Sequence, residues 1–289
     1  MTGHLTPFLE ARDTRRRVSN LVACGTLTFL SGVAIGALFL VFGYVLYRGF
    51  PAINWAFFIE TPRPVGEVGG GLANAMVGSL IILLLASLLG IPWGILTGVY
   101  LSEYGRGRLG SAVRFCSDML SSVPSIVIGL FAYALLVVPM KHFSALAGSV
   151  ALAVMMVPTI ARSTEELLRL VPNHIREAGL ALGVPRWKVI LLIVLRGNLS
   201  AILTGVMLAI ARASGETAPL LFTALNSRFL SWRVDQPIAS LPVQIYTYAI
   251  APFDDWHRQA WGGALVLVVF VFSLNLLARS VIRPKMTRD

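Results

Sequence analysis

Charge is scarce in this chain. Asp, Glu, Lys and Arg make up 13% of its 289 residues, against roughly 25% in a typical soluble domain. With 56% hydrophobic residues and a mean hydropathy of +0.76, the chain must use lipid as part of its solvent. Cysteine is scarcer still. Cys24 and Cys116 each lie in or beside an apolar run, which points to neither a disulfide framework nor a metal cluster. The four histidines, His4, His142, His174 and His257, carry no ligand spacing. The only lysines are Lys141, Lys188 and Lys285, and none follows a glycine. That excludes the phosphate-cradling Gly-x4-Gly-Lys-Ser/Thr loop of ATP-binding proteins. No paired-carboxylate or Ser-His-Asp constellation supports an intramembrane enzyme, and no short-period repeat supports a solenoid.

What the chain does have is long apolar runs flanked by arginine. Six of them, at about 21–47, 74–100, 112–138, 143–161, 198–225 and 261–281, are each long enough for a membrane helix. The expected fold is all-α and polytopic, with six spans and both termini on one side. The first run is longer than a signal-peptide core and long enough to span, so it stays as a helix. A basic arm, residues 1–20, precedes it. The Pro- and Gly-rich segment 48–71 reads as an extracytoplasmic connection and a domain boundary. Beyond it lie a five-helix domain, residues 72–282, and a short tail, residues 283–289.

The formal charge of +10 would suggest nucleic acid in a soluble protein, but here the basic residues flank spans and report orientation. With the N-terminus inside, the outer side receives Arg48, Arg63, Lys141, Arg228, Arg233 and Arg258. Every other Lys or Arg except Arg212 falls on the inner side. The excess of positive charge assigns both termini to the cytoplasm.

Three internal features carry candidate function. Gly90, Gly94 and Gly98 repeat every four residues, the spacing that lets helices approach closely in lipid; packing is the favoured reading over a transport role. The third run holds Asp118, Ser121, Ser122, Pro124 and Ser125. Its hydroxyls either face a polar path or satisfy their own helix, and the second reading is the more common. Arg212 lies inside the fifth run, with Glu216 on the same helix face. A charge there costs at least about 2.5–3.5 kcal/mol to insert. The pair therefore either locks two helices together or, with Thr217, lines a path or gate for an oxyanion, whose geometry a guanidinium matches.

Residues 164–196 interrupt the apolar pattern with charge, proline and glycine. Gly183 and Pro185 give a helix stop and restart, and Arg186, Trp187 and Lys188 suit a membrane surface, facing lipid headgroups. Glu177, Ala178, Gly179 and Gly183, followed after nine residues by Ile193, Val194 and Leu195, resemble the EAA loop of ABC importer permeases, the short helices that dock into ATP-binding subunits. Gly179 stands where that family has alanine, and Arg196 where it has proline. The alternative is an interfacial helix with no partner.

Further blocks, GGGLANAMVGS, LSEYGRG, VPSIVIGLF, REAGLALGVPRWKV, ARASGETAPLLFTAL and QPIASLPVQIY, are similar in this order to the phosphate-specific permease family of type I ABC importers. The resemblance implies a subunit of the bacterial inner membrane that imports inorganic phosphate by alternating access. It implies no cofactor in this chain, ATP and Mg being bound by two ATP-binding partner subunits. A homologous permease of the PstC type and a periplasmic or lipid-anchored phosphate-binding protein complete the implied assembly. Import of another oxyanion, such as sulfate or molybdate, and a non-transporting membrane scaffold or sensor are the alternatives.

Overall fold

The computed structural model describes the backbone of residues 6–282, with side chains described from Arg16 onward to Leu277 apart from Val18. The tail 283–289 and the side chains of Arg12 and Arg15 in the basic arm lie outside the described residues. Among those described, the regular elements are helices, with one isolated bridge between Pro62 and Gly70: α1 (Thr6–Gly49), α2 (Trp55–Ile59), α3 (Ala73–Glu103), α4 (Arg108–Ser122), α5 (Ser125–Ala132), α6 (Val138–Met140), α7 (Ala145–Arg169), α8 (Asn173–Ala181), α9 (Arg186–Lys188), α10 (Leu199–Ser214), α11 (Ala218–Thr223), α12 (Leu241–Ala249) and α13 (Asp254–Ile282). Four helices are long and apolar enough to cross a membrane, or up to six if each of two bent pairs counts as one span.

Helix α7 is the hub. Its apolar stretch is the most buried of the candidate spans, because Ala145, Ala147, Gly148, Ala151, Ala153 and Ala161 leave room for neighbours on several faces at once. Helix α3 lies along it through glycines. A methyl group placed on Gly90, Gly94 or Gly98 would sit 3.2 Å from Met156 Cβ, 2.7 Å from Ile160 Cβ or 2.5 Å from Thr164 Cβ. The four-residue repeat on α3 thus faces a four-residue repeat on α7. Helices α10 and α13 close the bundle around Ile82, Leu152, Ile202, Val206 and Phe270. Helix α1 stands outside the bundle and leans on α13 at its end, where Tyr44 meets Trp261 edge to face at 5.2 Å.

The third run is not one continuous helix. Its two halves, Arg108–Ser122 and Ser125–Met140, are bent by 104°, since Pro124 has no N–H to continue the first half and forces Val123 into an extended conformation. The second half widens into a π turn at Tyr133–Val137, just before Pro139 deprives the helix of another N–H. The fifth run is likewise broken. A segment over Arg186–Leu195, with a π turn at Val189–Leu195, meets α10 at 73°, and α10 stops at Ser214 before α11 begins.

Residues 50–72 are folded rather than loosely connecting. Phe57 and Leu72 are buried with Leu241, Tyr248 and Ala260 in a second apolar cluster. Gly69 N–H donates to Asp255 at 3.2 Å, and Gln259 Nε2 donates to the Gly69 carbonyl at 2.7 Å. This cluster sits at the end of the bundle where α3 and α13 begin.

Candidate functional site

Two regions gather the residues singled out by sequence. The first is the pair of broken spans. Helix α4 runs along α7, with Arg114 Nε on Glu165 at 2.6 Å and Asp118 paired with Arg162. On α10, Gly205 packs against Ser163, while beyond the second break the Ser144 amide donates to the Thr223 carbonyl at 3.0 Å. At 1.5 Å of rise per residue, these pairings put Val123–Pro124 level with the middle of α7 and 215–217 about one to two turns nearer its start. The half-helices that follow the breaks touch: Gly129 of α5 approaches Pro219 of α11 so closely that a methyl on Gly129 would lie 2.6 Å from Pro219 Cα.

Arg212 sits in the last turn of α10, where the helix dipole favours a cation. Its side chain is 57% exposed, that of Glu216 is 18% exposed, and Nε stands 3.7 Å from Oε1. At that separation the contact is an ion pair without a hydrogen bond. Ser122 is exposed, but its Oγ donates to the Met119 carbonyl at 2.8 Å, as Ser121 does to Ser117 at 3.0 Å. Both hydroxyls are therefore satisfied within their own helix, the more common of the two expected outcomes. Ser125 and Thr217 are half-buried and stand at the starts of α5 and α11. The N-terminus of α5 has no side-chain cap, so its first amides remain available to an anion.

Arg162, assigned from the sequence to the inner side just past the fourth run, lies within α7. There it is held by Asp118 and, through Nε at 2.9 Å, by Glu166. The spacing of Arg162 and Glu166 signals such a pair; only the fold brings Asp118 to it.

The second region is the polar joint. Helix α8 ends in a Schellman motif: Val184 N–H donates to the Gly179 carbonyl at 3.3 Å and Gly183 N–H to the Leu180 carbonyl at 2.9 Å, with Gly183 at φ +76°. This is the helix stop expected of Gly183, and a Cβ there meets nothing of this chain within 4 Å. Close approach occurs at Gly179. It is buried, and a methyl there would lie 3.0 Å from both Val189 Cγ2 and Ile193 Cδ1. Pro185 caps the next helix, while Glu177, Ala178, Pro185, Arg186, Trp187 and Leu182 are exposed.

What anchors this joint was not singled out from sequence. Glu103, at the end of α3, accepts from Arg176 at 2.6 and 3.2 Å with its two oxygens, and Arg176 also donates to the Val171 and Leu168 carbonyls. Arg186 donates to the Glu103 carbonyl at 2.7 Å and lies over the Tyr104 ring at 4.8 Å. Arg114 adds bonds to the Gly105 and Leu101 carbonyls. The ends of α3, α7, α8 and α9 thus form one charged cluster. The Glu103–Arg176 pair is 73 residues apart in the chain, so no local spacing announces it.

No group of three or more metal-ligating side chains is present among the described residues.

Residues 90–284 match the family described as binding-protein-dependent transport system inner membrane component. The phosphate transport system permease protein PstA of Haemophilus influenzae is 47% identical over 274 residues, covering 93% of this chain and 96% of the relative. The protein of the same name from Yersinia pestis is 44% identical over 275 residues, covering 95% and 92%, and that from Mycobacterium leprae 40% identical over 276 residues, covering 93% and 90%. Among solved structures, an inward facing MetNI methionine ABC transporter superimposes with a TM-score of 0.63 at 17% identity, covering 73% of this chain and 94% of that one, a likeness of fold. The chain therefore belongs to the binding-protein-dependent transport system inner membrane components, and within them to the family of these phosphate transport permeases.

Proposed function

We propose that this chain is one of two permease subunits of an ATP-driven importer that carries inorganic phosphate into the cell by alternating access. The observation that carries this reading is Arg212, exposed in the last turn of α10 just before the break at 215–217, in a bundle where a second span is broken at Pro124. Backbone interrupted within a membrane is tolerated where it lines a cavity or is covered by protein, and transporters commonly place solute sites at such discontinuities. An exposed guanidinium and the uncapped start of α5 together suit a passing oxyanion. Glu216, loosely paired with Arg212, lowers the local positive charge, so an anion is attracted without being trapped.

The remaining assembly follows from the same reading. The exposed end of α8, with Glu177, Ala178 and Leu182, would dock into an ATP-binding subunit, with ATP and Mg bound there. A second, homologous permease of the PstC type would cover the exposed face of the broken spans. A phosphate-binding protein would dock on the cluster formed by residues 50–72, α12 and the start of α13, at the outer side. Both termini would lie in the cytoplasm.

The test is uptake of labelled phosphate into proteoliposomes containing the co-purified complex. Uptake that requires ATP and resists competition by sulfate and molybdate is expected. Preferential uptake of either competitor would move the assignment to that oxyanion, and an assembled complex without ATP-driven uptake would favour a scaffold.

A further inference from the structure

We infer that the chain carries a second anion site, away from the breaks at Pro124 and 215–217, which binds a phosphoryl group at the joint between α3, α4, α7 and α8. A polar cavity of about 530 Å³ opens there, lined by Arg106, Arg114, Arg169, Arg176 and Arg186 together with Ser102, Glu103 and Asn173. Most of this charge is already partly used. Arg176 is spent on Glu103, and Arg114 and Arg169 share Glu165 Oε1 at 2.6 and 2.7 Å. Five guanidiniums against these two carboxylates leave three positive charges uncompensated.

The wall supplies more than charge. Helix α4 starts at the cavity with Gly107 as its cap and no side-chain hydrogen bond to its first amides. Fifteen residues of helix dipole therefore end on this space with unpaired donors. Ser102 is also in the lining, and its buried Oγ has no hydrogen-bond partner, although buried hydroxyls are ordinarily hydrogen-bonded. Arg106 is exposed and makes no ion pair among the described residues. Excess cations, free helix amides and an idle hydroxyl around one concavity are the elements of phosphate recognition, and low-dielectric walls focus such a field. The phosphoryl group is either free inorganic phosphate or the headgroup of an anionic lipid. Bound there, it would tie Arg106, ahead of α4, to Arg169 and Arg186 on either side of α8 and stiffen the joint.

The experiment is arginine modification by phenylglyoxal, read residue by residue by mass spectrometry on the assembled complex in nanodiscs. This readout is local, so it is independent of whether Arg212 meets the transported solute. In zwitterionic lipid, inorganic phosphate at ten times its dissociation constant is expected to slow modification of Arg106, Arg169 and Arg186 about tenfold by mass action. Exposed Arg63, far from the cavity, should be unaffected, and chloride at equal ionic strength should give no protection. Protection that appears only when phosphatidylglycerol is added would assign the site to the lipid headgroup. Arg106→Glu removes a cation that holds no ion pair and should abolish protection of Arg169 and Arg186 from either source. Unchanged protection in that variant, protection by neither source, or an Arg106 already unreactive without ligand would overturn the inference.

Discussion

Arg212 and Glu216 form a loose pair, with the guanidinium more than half exposed. Exposed ion pairs contribute about 0–1 kcal/mol, so Arg212→Ala should leave assembly and thermal stability nearly unchanged. If the guanidinium meets the solute, phosphate uptake should fall about 10- to 100-fold, the equivalent of one charge-assisted hydrogen bond of about 1.5–3 kcal/mol. The double change with Glu216→Ala should not restore it. Recovery in the double variant, measured as uptake in proteoliposomes, would instead make the pair structural. Gly183 poses a different residue-scale question. Its constraint is backbone geometry, φ +76° with open space around it, so Gly183→Ala should cost about 1–2 kcal/mol, and Gly183→Trp little more within the chain itself. If Trp uncouples ATP hydrolysis from uptake where Ala does not, the added volume clashes with a docked partner. Equal effects of the two in a coupled ATPase assay would locate the cost in the Schellman turn.

At the scale of elements, two contacts decide how the helices move as bodies. Helices α3 and α7 meet through Gly94 and Gly98, with Ile160 and Thr164 filling the space a side chain would need. Overpacking of this kind typically costs about 1–3 kcal/mol, so Gly94→Ala should reduce the yield of folded protein and Gly94→Leu should abolish it, as judged by size-exclusion chromatography in detergent. The second contact is Glu103–Arg176, which ties the end of α3 to α8 with side-chain exposures of 5% and 18%. Breaking a buried pair from one side leaves an uncompensated charge and costs about 3–5 kcal/mol. Glu103→Ala should therefore free α8 from the bundle and raise ATP hydrolysis without uptake, while the double change with Arg176→Gln should recover part of the stability. Additive losses in the double-mutant cycle would show that the two side chains do not act as a pair.

For the whole molecule, the decisive prediction is sidedness. A cysteine placed at Ser231 should react with a membrane-impermeant maleimide from outside intact cells, whereas one at Asn173 should react only from the cytoplasmic side, on a background with Cys24 and Cys116 replaced. The reverse pattern would invert the molecule and separate α8 from cytoplasmic ATP. Much of the architecture was legible in the chain because lipid imposes a local requirement: every span must be long, apolar and helical to satisfy its own backbone. That requirement marks α1, α3, α7 and α13 directly, and small residues at four-residue spacing mark where α3 approaches a neighbour. The stop at Gly183 and restart at Pro185 were legible for the same reason, since φ and capping are local properties. The breaks at Pro124 and after Ser214 were not, because a bend keeps the composition of a continuous span and depends on whether neighbouring helices can cover the exposed backbone. Nor were Arg114–Glu165, Asp118–Arg162 and Glu103–Arg176, which link residues 44 to 73 positions apart. An isolated charge in the sequence carries no mark of its partner; only the packing of α3, α4 and α8 around α7 sets which charges meet, and so decided where the joint is anchored and where a cavity of surplus arginines remains.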